Sequence, residues 1–293
     1  MQRLHAVAPP LPGLRTGDVT PPGLAAGETG DGRRAGAPMS PAAAPEDVRY
    51  VARAGGARIA SLAVDGAPPT VVFLGGYASD MSGAKARFLD AWCRARGRAF
   101  VRFDYQGHGL SSGRLEDGTI GLWREDALAV VRERTTGPLV LVGSSMGAWI
   151  MLLVALALPE RIRALVGVAA APDFTEDLIW ARLDDAGRAA LERDGVLHEP
   201  SRYGPPLPFT WRLVEDGRRH LLLRAPIPLA CPVRLLHGAA DAEVPWTTSW
   251  RLAEALASPD VTLTLVKGGE HRLSNAPELA LLGGTLATLT EEA

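Results

Sequence analysis

The sequence has 293 residues, enough to bury a sizeable core, and its 47% apolar and 22% charged residues are close to the averages of globular proteins. This composition excludes a chain that is disordered throughout and a coiled coil. The net charge of −2 gives no basic excess that would indicate a nucleic-acid partner or an anionic membrane. The two cysteines, Cys93 and Cys231, cannot form a disulfide framework, which predicts a reducing, cytoplasmic compartment.

Residues 1–45 differ in composition from the rest of the chain. They are rich in Pro, Gly and Ala and poor in aromatic residues, so they cannot bury enough apolar surface to offset their ordering entropy. They also lack the continuous apolar region of a signal peptide. We therefore expect a disordered tail over residues 1–45 and one globular domain over residues 46–293.

From residue 46 the sequence alternates between strand-like and helix-like patterns. Short runs rich in Val, Ile, Leu and Ala predict strands at 48–53, 58–64, 70–74, 99–103, 139–142, 164–168, 233–236 and 261–266. Apolar residues at helical spacing predict helices at 83–96, 119–134 and 147–158. This alternation predicts an α/β fold with a mainly parallel sheet and helices on both faces.

Residues 173–226 interrupt the alternation. They are dominated by charged residues, Trp and Pro, and no buried strand is predicted there. An insertion between two core strands at the carboxyl edge of the sheet would form a helical cap over the ligand crevice. The aromatic residues of this cap could line an acyl pocket or could pack the cap on the core, and the sequence favours neither role. These residues are Trp180, Tyr203, Phe209 and Trp211.

Residues 135–159 contain no charged residue, so a hydropathy scan would mark them as a membrane span. Gly143 and Gly147 even have the spacing of membrane-helix dimers. A short β-rich run, a glycine turn and a helix stopped by Pro159 explain the segment better. We predict no membrane span.

The turn in this segment, Gly143-Ser144-Ser145-Met146-Gly147, matches the pattern G-x-S-x-G. In that pattern the serine occupies a sharp, strained strand-to-helix turn, and glycines are needed where a Cβ would clash with the neighbouring strand and helix. The N–H groups at the start of the helix favour a developing oxyanion. Ser145 is the predicted nucleophile, and Ser144 is the competing serine.

A serine nucleophile needs a base that is oriented by an acid, and in this chain order the acid precedes the base. His271 follows the last predicted strand at the correct sheet edge and is the predicted base. Asp241 follows the preceding core strand and is the predicted acid, with Glu243 on the same loop as the alternative. We expect a structural role for His237, which lies at the end of that strand.

Two backbone N–H groups are expected to form the oxyanion hole, those of Met146 and Tyr77. Tyr77 follows two glycines after the strand at 70–74, where close approach to a substrate is possible; a simple turn is the alternative. We expect structural roles for Asp104 and His108 in the next loop. No zinc-ligand spacing and no nucleotide-binding glycine motif is present, so neither a metal nor a cofactor is predicted.

These motifs together resemble the α/β-hydrolase superfamily over roughly residues 46–290. More narrowly, the chain resembles the group of ABHD10-type palmitoyl-protein thioesterases and their bacterial relatives, through segments 77–81, 102–105, 143–149 and 169–175. The resemblance implies an α/β-hydrolase fold whose Ser-His-Asp triad hydrolyses acyl thioesters and acyl-glucuronide esters. It places the nucleophile, acid and base on Ser145, Asp241 and His271.

Two positions depart from the wider superfamily pattern. Gly75 stands where a histidine often precedes the oxyanion residue, and Ala148 stands where many relatives have a further glycine. Mammalian members are mitochondrial, but the Ala, Arg and Gly bias of this chain resembles bacterial proteins, so the predicted location is cytoplasmic.

We expect a serine hydrolase that acts on a small-molecule or acylated substrate with an ester or thioester bond. A peptidase, a C–C hydrolase and a non-catalytic binding protein on the same scaffold are the alternatives.

Overall fold

A computed structural model describes residues 47–201 and 205–290. Within these residues the strands are β1 (Arg49–Ala52), β2 (Arg58–Val64), β3 (Ala67–Leu74), β4 (Arg98–Phe103), β5 (Leu139–Ser144), β6 (Ile162–Val168), β7 (Val196–Glu199), β8 (Leu207–Thr210), β9 (Val233–Gly238) and β10 (Val261–Val266). The longer helices are α1 (Ala84–Ala95), α2 (Ile120–Arg134), α3 (Met146–Ala157), α4 (Asp185–Asp194), α5 (Trp211–Gly217), α6 (Trp246–Ala255) and α7 (Ala276–Thr290). The predicted tail over residues 1–45 lies outside the described residues, so that boundary stays a prediction.

Eight strands form the central sheet in the order β1-β2-β4-β3-β5-β6-β9-β10. The strands from β4 to β10 along this order pair in parallel, whereas β2 runs antiparallel to β4 and β1 antiparallel to β2. The prediction of a mainly parallel sheet is confirmed. Because parallel strands point the same way, the loops after β3, β5, β9 and β10 all leave the sheet at one edge.

Both faces of the sheet are covered by helices, and alternate residues of β5 show how. Leu141 belongs to an apolar cluster that contains Trp149 of α3, whereas its neighbour Val142 belongs to a second cluster that contains Leu89 of α1 and Leu286 of α7. A strand that is buried on both faces needs apolar residues at every position. This explains why β5 reads as a continuous apolar run.

The uncharged stretch 135–159 contains β5, a tight turn and α3. Helix α3 is 12 residues long, or about 18 Å, and its residues from Met146 to Ala155 are all buried. The strand-turn-helix interpretation is therefore correct. In the described part of the chain, no helix has the length and apolarity needed to cross a membrane.

The segment between β6 and β9 contains the predicted cap. It holds α4, α5, short helical turns at Thr175–Ile179, Trp180–Arg182 and Arg218–His220, and the antiparallel pair β7 and β8. This pair was not predicted, because each strand has four residues that are mostly half-buried and show no apolar run. Helices α6 and α7 were also not predicted.

The two ends of this insertion are fastened to each other. The carboxylate of Asp173, which is fully buried, accepts hydrogen bonds from the backbone N–H groups of Leu222 at 2.7 Å and Leu223 at 2.8 Å. The indole N–H of Trp149 donates to the carbonyl of His220 at 3.0 Å. Asp173 also has a positive φ of 59°, a conformation that Asp tolerates better than most residues. The insertion therefore begins and ends at one point over α3.

The turn between β5 and α3 depends on close backbone contact. Ser145 has φ 54° and ψ −122°, a strained conformation for a residue with a side chain. A Cβ at Gly147 would lie 2.1 Å from the carbonyl oxygen of Leu74 and 2.4 Å from that of Gly75. A Cβ at Gly143 would lie 2.5 Å from the backbone of α3. These contacts explain both glycines of the predicted motif.

Gly147→Ala is expected to destabilise the protein by about 2 kcal/mol or more, because the added methyl group must push α3 away from the carbonyl of Leu74. Gly284→Ala is the matched control. Gly284 lies in α7 with open space around the added Cβ, so this change is expected to stabilise the helix by about 0.5–1 kcal/mol. Urea denaturation of both variants measures the difference, and equal effects of the two substitutions would contradict it.

Asp173→Ala is expected to lower the free energy of unfolding by about 2 kcal/mol, because it leaves two partly buried backbone N–H groups without an acceptor. Asp194→Ala removes an exposed carboxylate of the same insertion, whose partner is the adjacent Arg193, and is expected to leave stability unchanged. Thermal and urea unfolding compare the two. An Asp173→Ala protein as stable as the wild type would show that the hydrogen bonds between the two ends of the insertion are dispensable.

Candidate functional site

Three side chains from separate loops meet at the carboxyl edge of the sheet. Ser145 follows β5, Asp241 follows β9 and His271 follows β10. The Nε2 atom of His271 lies 3.0 Å from Ser145 Oγ, and its Nδ1 atom lies 2.8 Å from Asp241 Oδ2. The structure thus brings together the three residues that the sequence singled out, although they are up to 126 positions apart.

The hydrogen bonds define the proton positions. A carboxylate can only accept, so Nδ1 of His271 donates to Asp241, and in the neutral ring Nε2 is free to accept the proton of Ser145. Burial alone would raise the pKa of Asp241, but hydrogen bonds from His237, His271 and the Val244 N–H, with the charge of His271, hold the pKa well below its ordinary value. Asp241 is therefore ionised at neutral pH and can stabilise an imidazolium on His271.

The alternative acid, Glu243, lies on the other side of the imidazole. Its Oε2 atom is 3.8 Å from His271 Nε2, and its side chain is 42% exposed. Only a carboxylate at Nδ1 can fix the tautomer that leaves Nε2 facing the hydroxyl, so the geometry favours Asp241. The competing serine, Ser144, is the buried last residue of β5, and the imidazole contacts Ser145 instead.

His237 is fully buried and lies against the carboxylate of Asp241. Its Nε2 atom is 3.1 Å from Asp241 Oδ2 and 3.0 Å from the carbonyl oxygen of Val244, and its Nδ1 atom is 2.7 Å from Ser249 Oγ. The sequence predicted a structural role for His237 but gave no reason to connect it with Ser249, which lies 12 positions later in α6. That connection exists only in the folded chain.

The loop after β3 passes directly beside the serine. A Cβ at Gly76 would lie 3.3 Å from the carbonyl oxygen of Ser144 and 3.4 Å from Ser145 Cβ. Met146 is the first residue of α3, so its N–H belongs to the positive end of the helix dipole. Both predicted oxyanion donors, Met146 and Tyr77, are therefore on backbone segments that adjoin Ser145, and their role stays a prediction.

His108 holds the loop that carries Tyr77. Its Nε2 atom accepts a hydrogen bond from the N–H of Ala78 at 3.1 Å, and its Nδ1 atom lies 3.2 Å from the carbonyl oxygen of Gln106. Burial lowers the pKa of His108 to about 4, so the ring stays neutral and Nε2 remains an acceptor. His108 thus supplies a structural hydrogen bond to the loop that carries Tyr77.

Asp104 has a comparable role in the neighbouring loop. Its carboxylate accepts hydrogen bonds from the backbone N–H groups of Met81 at 2.7 Å and Leu110 at 2.8 Å. Gly109 packs so closely on this carboxylate that a Cβ there would lie 2.1 Å from it. These contacts are consistent with the structural roles expected of Asp104 and His108.

The cap aromatics fall into two groups. The ring of Phe209 stacks on Tyr77 with centroids 5.0 Å apart, and the Tyr77 hydroxyl donates to the carbonyl of Pro208. Trp180 and Trp211 instead contact each other, with ring centroids 5.2 Å apart and the Arg218 guanidinium over both rings. Phe209 therefore adjoins the candidate oxyanion loop, whereas the two tryptophans show the contacts of cap packing. Tyr203 lies outside the described residues.

Comparison with known proteins places this geometry in context. Residues 67–212 match the family model described as serine aminopeptidase, S33. The palmitoyl-protein thioesterase ABHD10 of Mus musculus, a mitochondrial protein by name, is 40% identical over 231 residues, which are 78% of this chain and 77% of that protein. The Homo sapiens protein of the same name is 39% identical over 229 residues, covering 78% of this chain and 74% of that protein.

Two solved structures share the fold at similar identity. The mouse α/β-hydrolase domain-containing protein 10 superposes with a TM-score of 0.77 at 37% identity and covers 83% of this chain and 97% of its own. The crystal structure of an Agrobacterium vitis S4 protein gives a TM-score of 0.79 at 40% identity, with 83% and 98% coverage. The predicted fold is therefore confirmed. The chain belongs to the α/β-hydrolase superfamily, in the group of the ABHD10 palmitoyl-protein thioesterases, and is a hydrolase.

Proposed function

We propose that the chain is a serine hydrolase that cleaves carboxylic ester or thioester bonds through an acyl-enzyme intermediate. The observation that carries the proposal is the continuous hydrogen-bonded chain from Ser145 Oγ through His271 to Asp241, with distances of 3.0 and 2.8 Å. A weak hydroxyl nucleophile needs this arrangement of base and orienting acid.

In the first step Ser145 Oγ attacks the carbonyl carbon of the substrate as its proton passes to Nε2 of His271. The carbonyl oxygen becomes an oxyanion and accepts hydrogen bonds from the N–H groups of Met146 and Tyr77. Asp241 stabilises the imidazolium without taking its proton. When the tetrahedral intermediate collapses, the leaving group departs with the bonding pair. An alkoxide takes the proton from His271, whereas a thiolate leaves as the anion and His271 then releases its proton to solvent, so that the base is neutral before the second step.

In the second step a water molecule replaces the leaving group. His271 accepts a proton from the water as the water oxygen attacks the acyl carbon bound to Ser145. The same oxyanion donors stabilise the second tetrahedral intermediate, and its collapse releases the carboxylic acid and returns the proton to Ser145. Both half-reactions thus use one base in one position.

The relatives suggest the class of substrate. This chain matches about three quarters of the length of two relatives that are named palmitoyl-protein thioesterases. We propose a fatty-acyl thioester, or an acyl-glucuronide ester, as the substrate, with Phe209 and the Tyr77 ring contributing an apolar surface for the acyl chain. Trp180, Tyr203 and Trp211 remain predicted pocket residues, and the cytoplasmic location also stays a prediction.

The description of the matched family model favours one second candidate, a peptidase on the same scaffold. Amide cleavage expels an amine that must be protonated by His271, whereas a thiolate leaves without a proton. Turnover of a p-nitrophenyl ester, a palmitoyl thioester and a peptide anilide by the purified protein separates the candidates. Preferential cleavage of the anilide would replace the esterase proposal with the peptidase.

Ser145→Ala is expected to abolish turnover and labelling by a fluorophosphonate probe, because it removes the hydroxyl that is hydrogen-bonded to His271 and is the proposed nucleophile. Ser144→Ala, the matched control, is expected to keep both, since Ser144 is the buried residue next to it. Mass spectrometry of the labelled peptide and the thermal midpoint of each variant complete the measurement. Equal labelling of the Ser145→Ala protein would refute the assignment.

Asp241→Asn is expected to lower kcat by about 10⁴-fold, because an amide can present an N–H to His271 Nδ1 and stabilise the wrong tautomer. Glu243→Gln tests the competing acid and is expected to change kcat less than about 10-fold, since its exposed carboxylate faces the other ring nitrogen. Steady-state kinetics on one ester substrate decides between them. A larger loss in Glu243→Gln would transfer the acid's role to Glu243.

A further inference from the structure

The acid of the site is bound by a second imidazole. Asp241 Oδ2 lies 2.8 Å from Nδ1 of His271 and 3.1 Å from Nε2 of His237. Its other oxygen, Oδ1, accepts the backbone N–H groups of Glu243 and Val244, each at 2.9 Å. Both oxygens are therefore engaged twice, and the orientation of the carboxylate is fixed on every side.

The surroundings of His237 define its tautomer. Nε2 faces two oxygens, Asp241 Oδ2 and the carbonyl of Val244, and neither carries a proton at neutral pH, so Nε2 must be the protonated nitrogen. Nδ1 faces the hydroxyl of Ser249 at 2.7 Å, and a hydroxyl can supply the hydrogen that an unprotonated Nδ1 accepts. Ser249 is fully buried in α6, so water does not compete for this bond.

We propose that His237, whose unprotonated Nδ1 is bound by Ser249, is a positioning residue that holds Asp241 in the orientation His271 requires; this rests on the proposed function. The series of hydrogen bonds then runs Ser249–His237–Asp241–His271–Ser145 and joins α6 to the candidate nucleophile. His237 does not contact substrate. It acts by fixing the carboxylate and by sharing the charge of Oδ2 with His271.

Charge sharing gives this role a kinetic signature. When the N–H of His237 is removed, the full charge of Oδ2 acts on His271, the imidazolium is better stabilised and the base is protonated up to a higher pH. The other charged groups at this position are the same in every variant. Glu243 faces Nε2 of His271, Glu270 and Arg272 flank it in sequence, and the Lys85 ammonium donates to the carbonyl of Arg272.

The test compares pH profiles of kcat/KM per active site, with sites counted by fluorophosphonate titration. His237→Leu is expected to lower kcat about 10- to 100-fold with KM nearly unchanged, and to move the acid limb to higher pH. His237→Gln restores an N–H donor toward Oδ2 and is expected to recover most of both effects. Ser249→Ala is expected to change kcat and the acid limb in the same directions by a smaller amount.

Leu252→Ala is the matched control, because Leu252 is buried in the same helix and its apolar side chain forms no hydrogen bond in this series. Its acid limb is expected to coincide with that of the wild type. An unmoved or lowered acid limb in His237→Leu, or an equal shift in Leu252→Ala, overturns the proposal. Absence of probe labelling in the wild type is a different result, which refutes the proposed function itself.

A second measurement needs no substitution at His237. In the wild-type protein labelled with ¹⁵N-histidine, the chemical shifts of His237 are expected to show a protonated Nε2 and an unprotonated Nδ1 at neutral pH. This result keeps the proposal testable if the His237→Leu chain does not fold. A neutral ring protonated at Nδ1 would leave a lone pair facing Asp241, and it overturns the proposal.

Discussion

The close contact between the backbone of Gly147 and the carbonyls of Leu74 and Gly75 determines the rest of the site. It sets the distance between α3 and β3, and therefore the distance between the helix N-terminus at Met146 and the loop that carries Tyr77. Because α3 begins so close to β3, the backbone between β5 and α3 must turn sharply. Ser145 is therefore held in a strained conformation with its hydroxyl toward His271. One steric constraint thus positions the candidate nucleophile and both candidate oxyanion donors.

Local patterns in the sequence were sufficient to predict the core of this fold. The run at β5 is apolar at every position because Leu141 and Val142 pack on opposite faces, and such runs are easily recognised. Helix α7 was missed although its start carries a capping signal, since Asn275 and Glu278 exchange hydrogen bonds there. The strands β7 and β8 have no such signal, because their four-residue pairing is stabilised by tertiary context.

Some residues of the candidate site could also be predicted from the sequence, and others could not. Ser145, Asp241 and His271 could be singled out because each follows a recognisable strand in a fixed chain order. The partners that make the site work could not be found from sequence. His108 reaches the Ala78 N–H across 30 positions, and Ser249 meets His237 only because α6 folds back against the end of β9. Such contacts depend on three-dimensional packing, which local sequence patterns do not reveal.

The hydrogen bonds from Leu222 and Leu223 to Asp173 affect which changes of sequence the insertion can accept. Because the insertion leaves and rejoins the sheet at one fastened point, residues between these ends can be lengthened, shortened or exchanged at little cost in loop-closure entropy. Such exchanges would leave the turn at Ser145 in place and would alter only the contacts that Pro208 and Phe209 make with Tyr77. The turn at Ser145 is retained while the cap varies, which makes the cap an interchangeable module for evolution and for protein engineering.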